Sequence, residues 1–169
     1  RPVGERTLLD RWILSELALL SKAVTDNLEQ FRAYEAAVAL NSFVDGLSNW
    51  YLRRSRSRFW KSEFDDDKRD AYATLYECLV TVVKLAAAFT PFMAEEIYQN
   101  IVRGPGGDVP ESVHLSDLPA SDATRIDLAL SEEMATVRNV VSLGLRVRTE
   151  HRLKVRQPLQ NVEVVLSDP

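Results

Sequence analysis

The sequence contains one cysteine, Cys78, in 169 residues. A single thiol excludes an internal disulfide framework and any cysteine-based zinc site. Histidine is almost as scarce, with only His114 and His151, which leaves little material for a His-rich metal centre. The 6 glycines and 7 prolines are too few for a collagenous or disordered chain. Long hydrophobic runs are missing too. Cys78 to Val83 and Leu85 to Ala94 are separated by Lys84, and neither approaches the roughly 18 apolar residues of a membrane helix. Glu5, Asp10 and Arg11 break any signal-peptide pattern, and there is no initiator Met. The chain therefore reads as a piece of a longer one, and the lone cysteine suits a reducing, cytoplasmic setting. Basic residues are in the minority, 21 against 25 acidic, and the net charge of -4 argues against a uniformly basic nucleic-acid binder.

What the sequence does have is 46% hydrophobic residues, arranged with helical periodicity. Leu9, Ile13, Leu17, Leu20, Val24 and Leu28 recur at the spacing of one helix face, with Thr7 as N-cap and Asp10 completing an approximate capping box. A second helix is predicted from Ala33 to Trp60 on the stripe Ala37, Leu40, Val44, Leu47 and Tyr51. A third is predicted from Lys68 to Phe89 on Tyr72, Leu75, Leu79, Val82, Ala86 and Phe89, with Asp65, Asp66 and Asp67 at the positive end of its dipole. Pro91 opens a short helix through Ile101. Gly104-Pro105-Gly106-Gly107 is the strongest loop signal, Ser112 to Leu115 reads as extended, and Pro119 to Asp122 as a loop. The last helix is predicted from Arg125 to Glu150 on Ile126, Leu130, Met134, Val137, Val141 and Leu145, and Val162 to Leu166 reads as a strand. The expected fold is all-α: an antiparallel helix bundle over residues 1–152, then a C-terminal segment, 153–169, carrying the strand.

The charges are segregated. From Leu47 to Ser62 there are Arg53, Arg54, Arg56, Arg58 and Lys61 and no acid. From Met134 to Val162 there are Arg138, Arg146, Arg148, Arg152, Lys154 and Arg156, opposed only by Glu150. Each segment sums to +5 and the remainder to -14. Phosphate affinity follows local cations rather than the chain average. The stripe Leu47, Tyr51 continues in phase into Arg54, Arg58 and Lys61, and a core cannot hold unpaired cations. Either the helix projects past the core or these arginines meet carboxylates.

Two readings of the basic segments stay open at this point: a nucleic-acid surface, with Trp50, Tyr51, Phe59 and Trp60 interleaved among the cations, or ordinary salt bridges and dipole contacts in an interaction bundle. Core packing is the expectation for Trp50 and Trp60, and a buried inert thiol for Cys78. No catalytic triad and no glycine-rich phosphate loop can be assembled. Glu95-Glu96 and Glu132-Glu133 are adjacent on helices, so their members do not face each other; both pairs read as solvated faces or arginine partners.

Longer words in the sequence resemble a known family. Asn49-Trp50-Tyr51-Leu52-Arg53-Arg54-Ser55-Arg56-Ser57-Arg58-Phe59-Trp60 looks like a signature of isoleucyl-tRNA synthetases, in the form typical of archaeal and eukaryotic-type enzymes. Leu9-Asp10-Arg11-Trp12-Ile13-Leu14, the stretch Phe89 to Tyr98, Ser112-Val113-His114-Leu115 and Lys154-Val155-Arg156-Gln157-Pro158-Leu159 resemble, in order, other pieces of the helical domain that follows the catalytic domain in class I synthetases. These further pieces are shared with valyl- and leucyl-type relatives. The resemblance implies an anticodon-binding domain that docks on the anticodon stem and loop of tRNA(Ile). Its implied tRNA contacts are Arg53, Arg54, Arg56, Arg58 and Lys61, with Arg146, Arg148, Arg152, Lys154 and Arg156. The implied partners are the tRNA, the enzyme's own catalytic domain and a C-terminal extension, with no membrane. The whole enzyme would use ATP and magnesium. The HIGH and KMSKS motifs are absent from this sequence, so no catalytic residue, cofactor or metal is expected within it.

Overall fold

The computed structural model describes residues 1–165 of the chain. Residues Arg1–Asp127 form one compact unit, and a second begins at Leu128. The predicted division after residue 152 falls inside the second unit, just beyond its last helical residue, Glu150.

The first unit is built on α1 (Leu8–Glu29), α2 (Ala33–Asp45), α3 (Arg56–Trp60), α4 (Asp66–Ala86) and α5 (Pro91–Tyr98). Thr7 caps α1 as expected: its Oγ1 accepts from the Asp10 N–H at 3.4 Å. Trp12, Ile13, Leu14, Leu17, Leu20 and Val24 of α1 are buried and face α2 and α4. The turn into α2 ends α1 in a Schellman arrangement, in which the Arg32 N–H reaches the Asn27 carbonyl at 2.8 Å and the Phe31 N–H that of Leu28 at 3.0 Å. Phe31 occupies the left-handed position at φ 58° while 96% exposed.

The second predicted helix is not continuous. It is α-helical only to Asp45, winds as a π-helix through Gly46–Leu52, bends at Ser55 and resumes as α3. A π turn takes more residues than an α turn. The inward face therefore runs Leu47, Tyr51, Ser55 and Arg58, and Arg54, in phase on an ideal α-helix, turns outward. The hydroxyl of Ser55 is buried with no hydrogen-bond partner among the described residues.

On α4 the core face also differs from the predicted one. Tyr72 is 46% exposed, and the residues that bury are Asp70, Ala71, Thr74, Cys78, Val83 and Leu85. The predicted stripe followed bulk, but α4 presents its small side chains to the bulky face of α1, which allows the two backbones close approach. Burial pushes the Cys78 thiol pKa up, so it stays protonated and inert. Asp65 caps α4 by accepting from the Lys68 N–H at 2.9 Å, which places Asp66 and Asp67 inside the first turn.

A second core joins α4 to α5: Val83, Ala94, Tyr98, Val102 and Val113 bury together. After α5 the chain passes through a π segment, Gln99–Arg103, that closes at Gly104, where a Cβ would lie 2.6 Å from the Asn100 carbonyl oxygen. The stretch predicted as extended is instead a 3-10 turn, Val113–Leu115. Its anchor is Glu95, which accepts from the Ser112 hydroxyl at 2.8 Å and the Val113 N–H at 2.9 Å. Glu95 is thus neither a solvated acid nor an arginine partner; with no strand to pair with among the described residues, the turn hangs from a carboxylate. Arg125, predicted to start the last helix, instead ends a separate 3-10 turn, Ala123–Arg125, capped by Asp122.

The second unit begins with α6 (Leu128–Glu150), which runs unbroken through Gly144. Leu130 and Met134 bury, whereas Val137 is 48% and Leu145 43% exposed, so the predicted apolar face is realised only in its first half. The following chain returns along α6 and borders an open groove of about 960 Å³, lined among others by Val140, Leu143, Val147, Leu159, Val162 and Val164. Residues Val162 to Val165 form no strand, and Leu166 lies outside the described residues. A strand needs a neighbour for its backbone groups, and among the described residues there is none.

If close approach of α1 and α4 depends on the small stripe, Ala71→Leu will overpack it. The expected loss of stability is about 1–3 kcal/mol in chemical denaturation, whereas leucine at the exposed neighbour Ala73 should be neutral.

Candidate nucleic-acid interface

The basic segment Arg53–Lys61 divides into an inner and an outer set. Arg58 is inner: its side chain is 13% exposed and that of Asp10 is 0%. Its Nη1 and Nη2 donate to the two Asp10 carboxylate oxygens at 2.8 and 2.7 Å, and its Nε donates to Asp67 Oδ1 at 2.8 Å. The Tyr51 hydroxyl donates to Asp10 Oδ1 at 2.7 Å, and the Thr7 hydroxyl to Oδ2 at 2.8 Å. One buried carboxylate thereby joins the start of α1, the π segment, α3 and, through Asp67, the first turn of α4. Burial pushes the Asp10 pKa up, but the hydrogen bonds from Arg58, Tyr51 and Thr7 outweigh it and hold the group below the usual carboxylate value. The Tyr51 hydroxyl is pushed up by burial and by Asp10, so it remains a donor. Lys61 is also engaged, with Asp65 at 2.7 Å and Asp67 at 2.9 Å.

Arg53, Arg54 and Arg56 form the outer set. All three are exposed, and no carboxylate pairs with them among the described residues. Arg54 lies over the Trp50 ring at 4.1 Å and Arg56 over the Trp60 ring at 5.1 Å. Trp60 is 76% exposed, contrary to the expected core packing, because α3 packs on α4 through its neighbour. Phe59 meets Tyr72 edge to face with ring centroids 5.2 Å apart, which directs the indole outward. Trp50 is half-buried.

The basic residues of the second unit divide similarly. Arg146 pairs with Glu150 at 2.9 Å. Arg148 Nη1 donates to the carbonyls of Lys154 and Gln157 at 2.9 and 2.8 Å and so holds the returning chain. Arg152, Lys154 and Arg156 are exposed. Arg152 sits at φ 54° in a second Schellman arrangement, in which the Leu153 N–H reaches the Arg148 carbonyl at 2.8 Å. A non-glycine residue there costs about 1–2 kcal/mol.

Sequence reasoning does not single out Asp10 and Asp67 as partners of the arginine segment, and it counts Tyr51 among the interleaved aromatics rather than as a donor to a buried carboxylate. The signal for Asp10 was available: a carboxylate three, four and seven residues before Ile13, Leu14 and Leu17 lies on the core face, and a buried acid needs a buried cation. Among the described residues, no group of three or more His, Cys, Asp or Glu side chains is placed to hold a metal ion. Nor is any helix there long and apolar enough to cross a membrane.

The helical unit thus carries an outer arginine–tryptophan surface, and comparison with known proteins specifies its class. A family model described as the anticodon-binding domain of tRNA ligase matches residues 10–165, and the chain belongs to this family. It is 52% identical over 166 residues to an isoleucine--tRNA ligase of Dehalococcoides mccartyi strain CBDB1, covering 98% of this chain and 16% of that protein. The isoleucine--tRNA ligases of Thermobifida fusca strain YX and Clostridium novyi strain NT are 50% and 49% identical, each over 92% of this chain. These matches cover 14% and 15% of those two proteins. The chain thus spans about one sixth of the length of such relatives.

Removing Arg58 leaves a buried carboxylate unpaired. Arg58→Ala should cost about 3–5 kcal/mol in chemical denaturation, and Arg58→Lys should recover only part, because an ammonium cannot span both oxygens. A carboxylate with a lowered pKa stabilises the fold at neutral pH and loses that contribution as pH falls through the folded-state value. Stability of the parent should therefore drop steeply below the ordinary carboxylate range, and a pH series on Asp10→Asn should be flatter there.

Proposed function

We propose that this chain binds the anticodon stem and loop of tRNA(Ile) as part of an isoleucine--tRNA ligase. The observation that carries the reading is the outer arginine set, Arg53, Arg54 and Arg56, facing solvent with no carboxylate partner among the described residues, in a chain of the anticodon-binding family. The names of its relatives support isoleucine as the amino acid rather than valine or leucine. Arg146, Arg152, Lys154 and Arg156 are the contacts we assign to the second unit. Arg58, Lys61 and Arg148 serve the fold, because donors of each are held by carboxylates or carbonyls; Arg146 meets Glu150 only through its Nε and is 75% exposed, so it stays among the proposed contacts.

Phosphate contacts by the outer arginines set the register of the RNA on the protein, and base contacts set its identity. The ligation of isoleucine to tRNA, with ATP and magnesium, belongs to the whole ligase. No residue of this chain is assigned to the nucleotide, the metal or a bond-making step. The working compartment is the cytoplasm, and the catalytic domain and a C-terminal extension of the ligase are the protein partners.

Filter binding of tRNA(Ile) at two or more salt concentrations tests this. Affinity should fall as salt rises, and each lost phosphate contact should lower the slope of log affinity against log salt by about 0.7–0.9. Arg54→Ala and Arg56→Ala should each weaken binding and flatten the slope while leaving thermal stability unchanged. Salt-independent binding, or variants that bind as the parent does, would remove the assignment.

A further inference from the structure

Trp60 lies largely outside the core of the unit that contains it. It is the last residue of α3 and remains 76% exposed, while Phe59 supplies the helix with its packing against Tyr72. A large exposed indole needs a reason that a scattered exposed leucine does not. Its one close ring contact among the described residues is the Arg56 guanidinium, 5.1 Å from the ring centroid. Trp50 and Arg54 repeat the same couple at 4.1 Å. The sequence order is thus tryptophan, arginine, arginine, tryptophan, with each cation four residues from its ring and both cations in the outer set. Such a couple offers a flat apolar face beside a positive charge, the pairing that single-stranded nucleic acid presents in reverse: a planar base beside a phosphate. A paired stem hides its base faces in its own stack and offers only phosphates to the same surface.

We propose that Trp60, backed by Arg56, is a stacking platform for an unpaired base of the bound RNA. The platform rests on the tRNA-binding reading above and adds to it a discrimination between loop and stem. The indole takes the base face, and Arg56 takes the adjoining phosphate. A protein partner is the less favoured occupant, because an apolar protein surface would leave Arg53, Arg54 and Arg56 desolvated and unpaired.

The test compares two RNA probes of equal phosphate count, a hairpin with an unpaired loop and a blunt duplex in which the same stem sequence is extended by further base pairs until the counts match, each titrated against the parent chain, Trp60→Ala and Trp60→Phe. The expected result is that Trp60→Ala weakens hairpin binding about five- to hundredfold, the range of one lost base stack. Duplex affinity and the salt slope should not move, because no cation is removed. Trp60→Phe should retain most of the hairpin affinity. Hairpin binding unchanged in Trp60→Ala overturns the platform while leaving the tRNA-binding reading intact, and assigns the exposed ring to a protein partner. Equal losses on hairpin and duplex overturn it as well, since the effect is then not stacking. A parent chain that binds neither RNA overturns both readings.

Discussion

A single buried carboxylate organises the part of the molecule where function and fold meet. Asp10 lies at 0% exposure near the start of α1, and the low-polarity core would reject it without its partners. Arg58 meets both of its oxygens, and Tyr51 and Thr7 donate to them as well. Every other feature of the arginine-rich segment follows from that demand. Tyr51 must turn inward from the π segment, α3 must lie against α4, and Arg58 must be drawn out of solvent. Such a node contributes little net stability compared with an apolar substitute of the same shape. Its effect is to fix which way the segment faces, and so to fix what remains outside.

That separation changes the meaning of the charge pattern. Five basic residues between Leu47 and Ser62 look like one patch in the sequence. In the fold, Arg58 and Lys61 neutralise Asp10, Asp65 and Asp67, and Arg53, Arg54 and Arg56 carry the surface potential. In the second unit Arg148 is taken up in holding the returning chain, while Arg146, beside Glu150, and Arg152, Lys154 and Arg156 are exposed. An acidic chain can therefore present a positive surface to RNA without being basic on average, since the excess acids lie elsewhere.

The helices were legible because each depends on local information. Thr7 and Asp65 cap as their side chains dictate, Pro91 opens α5, and the middle of the apolar stripe of α1, Ile13, Leu17, Leu20 and Val24, buries as spaced, while Leu9 and Leu28 at its ends are half-buried. The errors arise where a distant neighbour decides. On α4 the large residues marked the wrong face, because the breadth of α1 selects Ala71, Thr74 and Cys78 for contact. Trp60 looked like core by its chemistry, yet its position on a five-residue helix whose packing is met by Phe59 leaves it outside. Ser112 to Leu115 looked like a strand by its composition, but strands require partners and Glu95 supplied a different anchor. The family words, by contrast, carried the identification because they record the whole arrangement at once.

The π segment at Gly46–Leu52 has a consequence for how this stretch tolerates change in winding. Its wide turn sets the inward sequence as Tyr51, Ser55, Arg58 and sends Arg54 outward onto Trp50. Rewinding it to ordinary α geometry with every residue kept would swing the outer arginines by about 100° around the axis, carrying a surface cation toward the core and a core hydroxyl toward water, whereas losing one residue together with the wide turn would leave them facing as they do. Along this stretch, then, winding acts as a compass: the wide turn takes up one residue more than an α turn would, and a change of winding that alters no side chain would still redirect every one beyond it.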